Sequence, residues 1–117
     1  MVATITTPRL MAVGGGALAH SLVFGLYRED RQIGFARVVT DRATFAYLTD
    51  VFVSAEERNS GLGQWLVETI LAHPPLQGLR RWLLVTKHAK SLYLRCGFTE
   101  LSRDLAYLER FDPAVYA

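Results

Sequence analysis

The apolar positions of this chain change period partway along it. Residues 2–7 are rich in Val, Ile and Thr and predict a strand that Pro8 ends. Leu22-Val23-Phe24-Gly25-Leu26-Tyr27 predicts a second, Arg28-Glu29-Asp30-Arg31 a turn, and residues 32–40 a third strand returning as a hairpin. Asp41-Arg42 is another polar turn, and residues 44–53 complete a meander. Strict alternation there puts Phe45, Tyr47, Thr49, Val51 and Val53 on one face, and Ala46, Leu48, Asp50 and Phe52 on the other. The period then becomes helical: Leu62, Trp65, Leu66, Thr69 and Ile70 form an apolar stripe, with Val67 and Leu71 widening it. Pro74-Pro75 stops this helix. Trp82-Leu83-Leu84-Val85 lacks alternation and predicts a strand buried on both faces. Residues 90–96 predict a short helix with Gly97 as its left-handed cap, and residues 98–101 and 105–109 predict two terminal strands. The order is a strand meander, then helix, strand, helix, strand. It implies an α/β fold, helices layered on one mixed sheet.

The chain's 117 residues suit a single domain, spanning 1–117, with room for one core. Half the residues are hydrophobic and 21% are charged, which predicts a folded chain. Thirteen basic and 11 acidic residues leave a net charge of +2, scattered except for pairs such as Arg80-Arg81. That pattern predicts neither a nucleic acid nor an anionic membrane as partner, though a mild positive bias assists capture of a phosphate-bearing ligand. The single cysteine, Cys96, permits no intrachain disulfide and fits a reducing cytoplasm. As a nucleophile it is less convincing than as a small apolar side chain closing a helix. The apolar stretch of residues 10–27 is interrupted by Gly14-Gly15-Gly16, His20 and Gly25, too short and broken for a membrane span. Ala17-Leu18-Ala19 has the look of a signal-cleavage site, but a short, glycine-rich run before it disfavours a secretory signal.

The candidate chemistry sits between the meander and the first helix, in Ser54-Ala55-Glu56-Glu57-Arg58-Asn59-Ser60-Gly61-Leu62-Gly63. A strand feeding a glycine-containing turn that opens a helix makes an anion site. The first helical N–H groups have no internal partner, and the helix dipole favours negative charge there. Gly61 and Gly63 permit close backbone approach, Asn59 tolerates a left-handed conformation, and Arg58 adds a charged planar donor. The bland alternative is an ordinary glycine-containing helix start. The loop is no Walker motif, lacking Gly-Lys-Ser/Thr, and no Rossmann fingerprint, since it follows a meander.

Val53-x-x-x-x-Arg58-x-x-Gly61-x-Gly63 resembles the acetyl-CoA signature of the GCN5-related N-acetyltransferases (GNAT). Ala89-x-x-x-Tyr93-x-x-x-Gly97-Phe98 matches the same family downstream, and Tyr47-Leu48-Thr49-Asp50-Val51-Phe52-Val53 is similar to the strand that precedes the loop in its polyamine acetyltransferases. The resemblance runs from Leu22 to about Leu101. It implies a mostly antiparallel mixed sheet and transfer of acetyl from acetyl-CoA to a primary amine by direct attack, with no metal. The acceptor would be a small molecule or a protein. Carried over residue by residue, the loop contacts fall on Arg58, Asn59, Ser60, Gly61, Leu62, Gly63 and Gln64. The main chain of Val51, Phe52 and Val53 would pair with the pantetheine arm in a splay between strands, and one N–H there would polarise the thioester carbonyl. Tyr93 falls on the general acid that protonates the departing thiolate; the alternative is a plain core aromatic.

Asp50 is the only acid on its strand, and Thr49 stands where the polyamine enzymes carry a glutamate. Asp50 therefore reads either as the base, directly or through water, or as a stabiliser of the splayed strand. His88 is a further titratable candidate, though a solvated helix-start histidine is the simpler reading. Thr86 stands where many members have a CoA-contacting asparagine. Residues 1–20 leave little room for the two helices that usually build the acceptor wall, so the sequence predicts reduced N-terminal helices and self-association into a dimer. A degenerate binding module without catalysis is the competing class. A purely structural subunit is a third, and the joint presence of Arg58, Gly61, Gly63 and Tyr93 speaks against it.

Overall fold

The computed structural model describes residues 3–6, 21–102 and 104–115. Five strands form one sheet in the order β1-β2-β3-β4-β5: β1 Ala3–Thr6, β2 Leu22–Arg28, β3 Arg31–Thr40, β4 Phe45–Val53 and β5 Arg81–Leu84. The first four are successive antiparallel neighbours, and β5 joins β4 in parallel. That parallel step needs a crossover, supplied by α1 (Leu62–Leu71). A second helix, α2 (Lys90–Arg95), follows β5. The sheet is thus mixed and mostly antiparallel, as the sequence implied.

Local chemistry explains the turns. Glu29 takes φ +56° in the two-residue link where Arg28 faces Arg31. Between β3 and β4 the Asp41 carboxylate accepts the Thr44 hydroxyl and the N–H groups of Ala43, Thr44 and Phe45. The Thr44 hydroxyl, followed by these N–H groups, holds the Asp41 carboxyl far below the usual carboxylate range. Short 3₁₀ turns, Ala55–Glu57 and Pro74–Leu76, were not legible as such in the sequence.

The core lies between one sheet face and the helices. Phe24, Ala36, Val38, Ala46 and Leu48 from the sheet meet Leu66, Val67 and Ile70 of α1, with Leu76 and Tyr93. Of the helical stripe read from the sequence, Leu66, Val67, Ile70 and Leu71 pack on this core, whereas Trp65 is exposed. Burying a side chain such as Leu66 or Ile70 stabilises the fold by about 1.5–3 kcal/mol.

Four expectations are corrected. The alternation of β4 is broken: Thr49 faces Arg37, yet Phe52 faces Phe35, so β4 carries one extra residue between them. Asp50 sits in this bulge at φ +56°. Val51 therefore packs on the same core as Ala46 and Leu48, instead of facing away from them. Secondly, β5 is half-buried, because it is an edge strand, and Val85 beyond its end is 81% exposed. Thirdly, residues 98–101 and 105–109 form no strand. They find no pairing partner among the described residues, and apolar content cannot make a strand without one. Fourthly, α2 stops at Arg95, with Cys96 as its cap, although Gly97 does take φ +95°. The expected loss of N-terminal helices falls on residues 7–20, outside the described residues. No helix among the described residues is long and apolar enough to cross a membrane.

Candidate active site

Pairing between β4 and β5 runs from Phe45 opposite Arg81 to Leu48 opposite Leu84 and stops there, while β4 continues to Val53. Among the described residues, the end of β4 thus has no strand beside it on that side. Beside it opens a cleft of about 540 Å³, lined by Val51, Phe52, Val53, Arg58, Asn59, Gly61, Gly63, Gln64, His88, Ala89, Leu92, Tyr93 and Arg95.

The loop on one wall is fastened at several points. The Ser54 N–H donates to the Ile33 carbonyl at 2.7 Å, tying the loop's start to β3. Arg28 grips Glu57 with two nitrogens, at 2.9 and 3.3 Å, and Arg31 adds a third contact at 3.1 Å. These contacts, the Arg28 hydrogen bond foremost, hold the Glu57 carboxyl below its ordinary value. Arg58 Nε donates to the Val53 carbonyl at 3.1 Å, and the Ser60 hydroxyl donates to the Glu57 carbonyl at 2.5 Å. Asn59 and Gly61 both adopt left-handed conformations, φ +62° and +81°, so that the chain turns sharply into α1. Among the described residues a Cβ at Gly61 would meet nothing within 4 Å: this glycine serves the backbone angle at the helix start. At Gly63 a Cβ would come 3.3 Å from Leu92 Cδ1, so this glycine lets α1 lie close to α2.

Chemically, the cleft combines the free N-terminus of a ten-residue helix, the cations Arg58 and Arg95, and the imidazole of His88, with no carboxylate among the described residues that line it. Such a surface suits a phosphorylated ligand. The unpaired edge of β4 offers main-chain donors and acceptors to an extended, amide-bearing chain. These features fit the pyrophosphate and pantetheine of a CoA thioester. Arg95, which reaches Gln64 Oε1 at 3.4 Å, escaped the sequence reading. The signal was present: His88, Leu92 and Arg95 recur at steps of four and three, one helical face.

Tyr93 sits at the inner end. The residue is 8% exposed, and its ring meets Phe98 edge-on at 5.8 Å. Among the described residues its hydroxyl makes no hydrogen bond, and no buried side-chain oxygen lacks a partner, so this oxygen reaches solvent. Burial, then the neighbouring Cys96, pushes the phenol above its ordinary value, which keeps it protonated through the neutral range. The same burial, with Glu68 nearby, pushes the Cys96 thiol up and leaves it a poor nucleophile.

Of the other residues singled out, Ser60 and Leu62 belong to the loop but do not line the cleft. Asp50 does not line it either: its carboxylate takes Arg37 Nε at 2.8 Å, and Arg37 also reaches the Ser21 hydroxyl. The Thr86 hydroxyl accepts the Ala89 N–H at 3.0 Å and so caps the turn into α2.

Comparison with known proteins adds a second line of argument. The family model of the GNAT acetyltransferase domain matches residues 19–100. A Gibberella zeae protein assigned as an acetyltransferase is 35% identical over 98 residues, covering 66% of this chain and 54% of its own. The chain thus spans about half the length of that curated relative. A crystal structure from Xanthomonas campestris, of a protein assigned as a GNAT acetyltransferase, superposes with a TM-score of 0.85 at 37% identity, covering 100% of this chain and 98% of that one. A Streptococcus pneumoniae GNAT protein gives 0.79 at 21% identity, over 96% and 99% of the two chains, a likeness of fold alone.

Proposed function

Since the chain belongs to the GNAT acetyltransferase family, we propose that it transfers an acetyl group from acetyl-CoA to a primary amine, by direct attack and in the cytoplasm. The observation that carries this reading is the cleft itself, which a cationic helix start, a strand end and a tyrosine line together.

Acetyl-CoA supplies an activated acyl group on a thiol that leaves readily. The loop 58–64 and Arg95 hold its phosphates, through the first N–H groups of α1 and two guanidinium groups. The free edge of β4 at Val51, Phe52 and Val53 orients the extended arm and aims an N–H at the carbonyl oxygen, where negative charge grows as the amine attacks. The Tyr93 hydroxyl gives its proton to the departing thiolate, and burial of its ring keeps that proton in place at neutral pH. Phe52, 52% exposed at the rim, helps screen the acyl group from water.

Asp50 enters as base or as the residue that sets the bulge. Its ion pair with Arg37 and its place outside the cleft lining favour the bulge. This favours water or an already neutral amine at the attack step. It is also the observation that keeps a second reading alive: a module that holds CoA without turning it over. The single cysteine supports the cytoplasmic assignment. The test is a screen of small-molecule amines and peptide N-termini with acetyl-CoA, following thiol release. Release that depends on both amine and Tyr93 supports transfer; saturable CoA binding with no release for any amine supports the silent module.

A further inference from the structure

The bulge in β4 stands where the sheet opens. Pairing of β4 with β5 ends at Leu48 opposite Leu84, and two residues later Asp50 turns through φ +56°. Between the pairs Arg37–Thr49 and Phe35–Phe52, the single buried Ala36 of β3 stands against both Asp50 and Val51. The strand therefore bends just before Val51, Phe52 and Val53 run along the cleft. A left-handed angle is unfavourable for any residue with a side chain, and aspartate only tolerates it better than most. The bend thus calls for a contact that favours it.

Arg37 supplies that contact. It faces Thr49, the residue before the bulge, and its Nε donates to Asp50 Oδ2 at 2.8 Å. Its Nη1 donates to the Ser21 hydroxyl at 3.1 Å. Ser21 immediately precedes β2, so one guanidinium links β2, β3 and β4 at the level of the bulge. A planar guanidinium can donate in two fixed directions at once, which a lysine ammonium does less well. The Arg37 side chain is 19% exposed and that of Asp50 56%, so the arginine is the anchored partner and the carboxylate the group drawn to it. A pair this open to water adds little to global stability; its effect is local, on the backbone angle at Asp50. Neither residue lines the cleft.

We propose that Arg37 is a positioning residue: by clamping Asp50 in the left-handed bulge it fixes the direction in which the main chain of Val51, Phe52 and Val53 meets the arm of the bound thioester. The proposal rests on the cofactor reading given above. On this account the Asp50 carboxylate acts on its own backbone angle, and tolerance of that angle matters more at position 50 than the ability to take a proton.

The first test needs no ligand and reads hydrogen exchange of the backbone amides in the full chain. Arg37→Ala is expected to speed exchange at residues 49–53 by about fivefold or more, while residues 62–71 of α1 stay within about twofold. Unchanged exchange at residues 49–53, or a rise spread evenly over the fold, would overturn the proposal. The second test titrates the variants with acetyl-CoA and with adenosine bisphosphate, the nucleotide part of CoA without the arm. In Arg37→Ala, acetyl-CoA affinity is expected to fall by about fivefold or more and nucleotide affinity by less than about twofold, with Arg37→Lys recovering part of the loss. At position 50 the loss should be smaller for Asp50→Asn than for Asp50→Val, because asparagine tolerates the left-handed angle. In an Asp50→Gly background, where the angle is adopted freely, Arg37→Ala should add no further loss. If Asp50→Val does not fold, Asp50→Asn and the glycine background still decide. Equal losses for both ligands, or a full further loss in the glycine background, would refute the clamp. A wild type that binds neither ligand overturns the cofactor reading together with this proposal, and it is told apart from failure of the clamp by appearing without any substitution.

Discussion

The loop before α1 and the segment after α2 have opposite characters. Residues 54–63 are pinned to β3 by Ser54, to the β2–β3 hairpin by Glu57, and to β4 by Arg58. Residues 101–115 are exposed along the described length, apolar side chains included. The first segment is specified by what lies next to it in its own chain: charged partners, left-handed residues and a helix start. The second has a strand's side chains without a strand's neighbour. No strand pairs with it among the described residues, and no local signal supplies one.

Several substitutions set the two regions against each other. The largest effect belongs to Tyr93→Phe, which removes the acid at the inner end of the pinned region. Turnover falls by about a hundredfold or more, while acetyl-CoA affinity stays within about twofold, as read from kcat beside a binding titration. Retained turnover would return Tyr93 to the role of a core aromatic. Gly61→Val comes next. A branched side chain at φ +81° costs roughly 1–2 kcal/mol or more of stability and intrudes on the space before the helix start. Thermal denaturation and acetyl-CoA titration should both register it, with affinity lost in the fraction that remains folded.

Arg28→Ala loosens the same loop without touching the cleft. Acetyl-CoA affinity falls by a smaller factor, and the acid side of the stability profile changes. Glu57, held below its ordinary value by Arg28, contributes stability that is present above its unfolded pKa and lost as pH falls through the folded one. In Arg28→Ala that acid-limb loss shrinks; a denaturation series from neutral to acidic pH that is superposable on the wild type would remove Glu57 from this role. The smallest effect is expected in the unpinned region: Phe111→Asp, at a side chain 74% exposed, should change folding stability by less than about 0.5 kcal/mol, as read by chemical denaturation.

The same contrast explains what could be read in advance. The meander, the helical stripe of Leu62, Leu66 and Ile70, and the left-handed Gly97 were legible because each follows from local period or backbone preference. The loop was legible for the same reason: its Asn59 and Gly61 take left-handed angles that asparagine tolerates and glycine adopts freely. The bulge at Asp50 was missed because a strict two-residue period hides one inserted residue. The hint was an aspartate, which tolerates φ above zero, in the middle of an apolar strand. The ion pair of Asp50 with Arg37 was missed because register decides it. Thr86, which stands where many family members have a CoA-contacting asparagine, engages its hydroxyl as a turn cap. The terminal strands were misread because composition reports a willingness to pair and says nothing of a partner.

Calorimetric titration of the purified chain with acetyl-CoA, beside dephospho-CoA and a Gly61→Val comparison, tests the central claim most directly. The account predicts saturable binding at one site per chain, weakened in the variant. A folded wild type that binds neither ligand, or a variant that binds as tightly as the wild type, would contradict the assignment of the cleft.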